Sequence, residues 1–157
     1  MKPLITVTMA LAVLASPFAL ATTPSTDHAH THEDAPAPAL QLNAGKKWET
    51  DAALRQGMAE IHQAMAAHRV AIHEGKLSPK AAKQLARKIE GAVARIVAQC
   101  KLPPAADAQL HIIVAELLAG AHQMAGNTTS IKPHAGAIKV MNALHNYATY
   151  FDDPGFQ

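Results

Sequence analysis

Ten histidines, one cysteine and six methionines are the residues of this 157-residue chain whose types could do chemistry. Three of the histidines alternate in Asp27-His28-Ala29-His30-Thr31-His32-Glu33-Asp34. Imidazole is the commonest transition-metal ligand, and alternating imidazoles on a flexible chain can wrap copper or zinc. His28, His30 and His32 are therefore the first candidate metal ligands. A second set pairs Cys100 with His111, with Met58 as a third ligand. Thiolate, imidazole and thioether together suit copper. The competing reading of that set is plain packing, because a lone thiol serves well as a small apolar group. A third set places Met58 and His145 as the axial pair of a non-covalent haem b. Met65, Met124 and Met141 fit ordinary core filling.

These residues need elements to hold them. Lys2, the apolar run Leu4–Leu14 and the small-x-small site Ala19-Leu20-Ala21 predict a signal peptide over residues 1–21, cut after Ala21. That run is too short for a membrane span, so no membrane association is expected after cleavage. Residues 22–44 are rich in His, Pro and Ala, have no hydrophobic period, and are expected to be a disordered tail. Residues 45–157 carry four amphipathic stretches. In the first, with Thr50 as its expected cap, Leu54, Met58, Ile61, Met65, His68 and Ile72 recur at spacings of 4 and 3, and Gly75 ends it. Ser78-Pro79 opens the second, with the stripe Leu85, Ile89, Val93, Ile96 and Cys100. Pro103-Pro104 starts the third and Gly126-Asn127 closes it. The fourth begins at Pro133 and is expected to face inward through His134, Ile138, Met141, His145 and Ala148. No strand signal is visible. Four such helices with short connections predict an all-α, antiparallel up-down-up-down four-helix bundle.

That topology gathers Trp48, Asp51, Cys100, His111, His145 and the C-terminal aromatics at one pole. His68, His73, His122 and His134 go to the other. His62 falls on a solvent-facing flank. His111 lies five residues before Glu116, about 140° round a helix from a position read as solvent-facing, and is expected to point inward.

A net charge of +2 offers little to nucleic acid or anionic lipid. An aromatic fraction of 4% argues against a β-sandwich or barrel. No phosphate loop, no His-Glu-x-x-His and no paired carboxylates on one seam are visible, so no enzyme is expected. The expected function is binding of copper or zinc in the periplasm, for storage, buffering or delivery. The alternatives are a cofactor-free interaction module that meets a periplasmic protein partner, and the haem-binding bundle.

Leu42-Asn43-Ala44-Gly45-Lys46-Lys47-Trp48, Leu54-Arg55-Gln56-Gly57-Met58, Cys100-Lys101-Leu102-Pro103-Pro104, Asp107-Ala108-Gln109-Leu110-His111 and Tyr150-Phe151-Asp152-Asp153-Pro154-Gly155-Phe156 carry a resemblance. On these motifs the chain resembles a group of small exported proteobacterial proteins, some labelled DnrO. The resemblance spans about residues 42–156 and implies a Gram-negative periplasmic setting. It also implies that Cys100 and His111 are more typical of the group than His145. More distantly, the architecture resembles the b-type and c-prime four-helix-bundle cytochromes. The attachment cysteines of the latter are missing from Met141-Asn142-Ala143-Leu144-His145.

Overall fold

Asp51 starts the first helix. Its backbone is extended and its carboxylate accepts from the Leu54 N–H at 2.7 Å, so the cap lies one residue later than expected at Thr50. The computed structural model describes residues 39–126 and 133–156. Among them are the strand β1 (Trp48–Glu49), five helices and the strand β2 (Phe151–Asp152). The helices are α1 (Ala52–Ala66), α2 (Arg69–His73), α3 (Pro79–Gln99), α4 (Pro104–Ala125) and α5 (Pro133–Tyr150). The described chain is mostly helical, in agreement with the expected all-α class. The leader and the tail histidines His28, His30 and His32 lie outside the described residues.

The first expected helix is two. Its ladder stops at Ala67, and His68 adopts φ −114° and ψ 8° before α2 resumes. No proline or glycine lies at this break. The stripe nonetheless survives it: Leu54, Met58, Ile61, Met65 and Ile72 are all buried. The other helix signals act as read. The Ser78 hydroxyl accepts from the Ala81 N–H, Pro79 and Pro104 open their helices, and Gly126 closes α4 at φ +79°. A positive φ of that kind costs glycine no Cβ clash.

The buried face of α5 differs from expectation. It runs through Gly136, Ala137, Val140, Ala143, Leu144 and Tyr147. His145 and Ile138 are exposed, and His134, Met141 and Ala148 are half-buried. Val140, Leu144 and Tyr147 share that face with Gly136, Ala137 and Ala143, and the glycine allows the closest approach to α4. A Cβ on Gly120 would lie 2.8 Å from the Gly136 carbonyl oxygen, and one on Gly136 would lie 2.6 Å from that of Gly120. The two backbones therefore meet directly where α4 ends and α5 begins. Such proximity draws α5 onto α4, and α1 touches α5 only sparsely. At the opposite end, Gly57 near the start of α1 leaves room for Ile96 near the end of α3.

Two short strands were not expected. β1 and β2 pair in parallel, with Trp48 opposite Phe151 and Glu49 opposite Asp152. Two residues are too few for an alternating pattern to show in a sequence. Thr50 Oγ1 donates to the Asp152 carbonyl at 2.6 Å, and Lys47 Nζ to that of Ala148 at 2.7 Å. No described helix is long and apolar enough to cross a membrane.

Candidate functional site

Cys100 closes α3, its N–H donating to the Ile96 carbonyl. The same Asp51 carboxylate that caps α1 accepts from the Lys101 N–H at 2.6 Å and from the Cys100 thiol. One side chain therefore ties the start of α1 to the end of α3. Burial raises the pKa of Asp51, but these hydrogen bonds outweigh it and the carboxyl ends below its ordinary value. For Cys100 all causes act together: burial, then the negative charge of Asp51 and its hydrogen bond, then Asp107. They push the thiol up to about 12. It is half-buried and protonated at neutral pH, a poor nucleophile as it stands.

His111 stands on α4, one turn beyond Asp107. Its Nδ1 lies 2.9 Å from the Asp107 carbonyl oxygen and 3.4 Å from the Asp107 carboxylate. A carbonyl only accepts, so Nδ1 carries the proton and the neutral ring offers its lone pair at Nε2. The structure corrects the expected inward orientation, since 71% of the His111 side chain is exposed. Glu116, the reference for that expectation, is half-buried and pairs with Lys139 on α5 at 2.7 Å. The solvent face was therefore misplaced.

Cys100, Asp107 and His111 line one small cavity of about 200 Å³, walled by Ile96, Leu110 and Val114. Cys100 and His111 thus meet at one cavity from two elements, with Asp107 beside them. Met58 is not among the lining residues. It is fully buried in the core. Nor does it share a cavity with His145, which is exposed and opens onto a groove between α1 and α5. Among the described residues, no group of three or more His, Cys, Asp and Glu side chains is placed to hold one metal ion. The cavity offers at most a Cys–His pair, with Asp107 turned to the imidazole as its orienting partner.

The aromatics of this pole form a clamp. Tyr147 and Phe151 are buried and stacked at 5.3 Å, with Phe156 edge-on to Tyr147 at 4.9 Å. The Tyr147 hydroxyl donates to Asp153 Oδ2 at 2.9 Å. Burial and that carboxylate push its pKa far up. Trp48 is half-buried, and its indole N–H donates to the Gln41 carbonyl at 2.6 Å.

The groove at His145 was missed from the sequence. It holds about 560 Å³, and its walls include His62, Met65, Met141 and His145. Phe156 closes part of it, its ring 4.9 Å from that of His62. The signal was present as His62-x-x-Met65 and Met141-x-x-x-His145. It went unread because α5 was turned the wrong way. At the other pole His122 approaches Glu90 at 3.8 Å, and His68 and His73 have no described polar partner. Lys80, Lys83, Arg87 and Lys88 form an exposed basic face. No family model, no curated protein and no solved structure matches this chain.

Proposed function

We propose that this chain is an exported transition-metal-binding protein, taking copper or zinc for storage, buffering or delivery in the periplasm. The observation that carries the reading is the cavity shared by Cys100 and His111. These residues lie on different elements, present a thiol and an imidazole, and have the Asp107 carbonyl accepting from the imidazole Nδ1. A carbonyl that accepts from one ring nitrogen fixes the tautomer whose other nitrogen a metal needs. A metal here displaces the proton that Asp51 helps to hold on Cys100, so affinity rises with pH. His28, His30 and His32 serve as a separate capture tract, reached after cleavage near Ala21. The helices are read as the antiparallel bundle that the short connections favour, supported by the contact of Gly57 with Ile96 and of Gly120 with Gly136.

The haem reading is not carried forward, because Met58 is closed in the core and does not line the groove of His145. The interaction-module reading gains no partner surface from Tyr147 and Phe151, which are buried in the clamp.

Equilibrium dialysis against Cu(II) and Zn(II) tests the proposal on the purified chain, a Cys100→Ala/His111→Ala variant and a variant with His28, His30 and His32 all changed to Ala. Each variant is expected to lose a distinct part of the bound metal. Equal metal uptake by the chain and by the Cys100→Ala/His111→Ala variant, both folded, refutes the cavity site.

A further inference from the structure

The groove between α1 and α5 gathers a second set of ligands, separate from Cys100 and His111. His62 and Met65 stand three apart on α1, and Met141 and His145 stand four apart on α5. Those spacings put both members of each pair on one helix face. Both faces open onto the same groove. We propose that this groove is a Cu(I) site, held by the imidazoles of His62 and His145 and the thioethers of Met65 and Met141.

The choice of ion follows from charge and softness. All four ligands are neutral, and no carboxylate lines the groove. Its one charged lining side chain is Arg69, a cation. A dication would stand beside that guanidinium on partly apolar walls with no anion to offset it. Mg(II) and Ca(II) draw on carboxylate or carbonyl oxygens that the groove lacks, and Zn(II) would find its two imidazoles here but no thiolate or carboxylate to complete its four ligands. A singly charged soft ion tolerates such a setting, and thioether and imidazole are its preferred donors. The ring of Phe156 against His62 shields one end from solvent.

Access and rigidity also fit. His62 and His145 are exposed, so the ion has a way in. Met65 is 4% exposed and Met141 half-buried, so the two methionines are the less exposed members of the set. The groove stays open because Gly120 and Gly136 bring α5 close to α4 and leave α1 with few contacts to it. The proposal shares only the metal cargo with the reading above and stands without the Cys100–His111 site.

The test uses the chain with His28, His30 and His32 changed to Ala, which silences the tract before the fold. Cu(I), kept reduced with ascorbate, is titrated against a chromophoric Cu(I) chelator. The second arm adds His62→Ala, Met141→Leu and His145→Ala. These positions are exposed or half-buried and Met65 is kept, so circular dichroism is expected to be unchanged. The expected result is loss of one equivalent of Cu(I), with affinity falling more than about a hundredfold, beyond what changes outside the ligand set cost. X-ray absorption of the first arm is expected to show sulfur and nitrogen neighbours. A third arm with Cys100→Ala and His111→Ala keeps the groove equivalent, which separates failure of one site from failure of the other. Unchanged Cu(I) stoichiometry and affinity in the second arm overturn the proposal. So does a groove that holds Zn(II) as tightly as Cu(I).

Discussion

Asp51 concentrates more of the structure than any other side chain near the cavity. It caps α1, holds the Lys101 N–H and, after burial, does most to keep the proton on Cys100. The unfolded thiol titrates near 9, while the folded one is pushed up to about 12. Between those values the folded chain keeps a proton that the unfolded chain has lost, so stability falls as pH rises. Tyr147, raised by burial and Asp153, adds a fall in the same direction above its ordinary value of 10. Thermal melts from pH 8 to 11 are therefore expected to fall more steeply for the chain than for Cys100→Ser, with Tyr147 accounting for the drop that remains. Identical slopes would show that burial and Asp51 do not hold the thiol proton. At this scale the sequence was half legible. Topology alone placed Cys100 and His111 side by side. It misjudged the direction of His111, because Glu116 looked solvated and is in fact paired with Lys139.

At the scale of elements, caps and breakers were the most legible signals. Ser78-Pro79, Pro104 and Gly126 act where a reader of the sequence would put them, and the stripes of α1 and α3 are buried as spaced. The seam of α5 was not legible. The 4-3-4-3 spacing of His134, Ile138, Met141, His145 and Ala148 favoured one face, whereas the buried face runs through Gly136, Ala137, Val140, Ala143, Leu144 and Tyr147. Small residues mark a close approach only when the opposing small residue is known, and Gly120 lies on another helix. The same contact makes a prediction. Gly136→Ala sets a methyl against the Gly120 carbonyl and the Met124 amide, neither of which can move without shifting a helix. It is expected to cost at least about 3 kcal/mol, the upper end of ordinary overpacking. Gly57→Ala meets the side chain of Ile96 instead, and is expected to cost about 1–3 kcal/mol. Urea unfolding midpoints measure both, and a Gly57 variant hit harder than the Gly136 variant would contradict the backbone contact.

Across the folded body as a whole, the helices are joined by short connections, so most of their packing closes small loops. The pairing of β1 with β2 is of another kind. It joins Trp48 to Phe151 and so spans nearly the whole described chain. The entropy of closing so large a loop is met only once the helices have brought the two ends together. Nothing in either strand announces this, because each segment is two residues long and its partner is a whole domain away in sequence. Hydrogen exchange followed by nuclear magnetic resonance is expected to show the backbone amides of β1 and β2 opening well before those of α3 and α4. Equal protection in the strands and the helix cores would mean that the pair is part of the cooperative unit.

The parallel strands have a further consequence. Because they run side by side in one direction, the chain enters and leaves the helical body along a common track, which makes the body a loop on a short stem. Pulling the two ends apart along that track loads both hydrogen-bonded strands at once in shear. Lifting one end sideways peels them in turn. The molecule should therefore resist tension in one direction and yield to it in the other, with the helices untouched until the stem has parted.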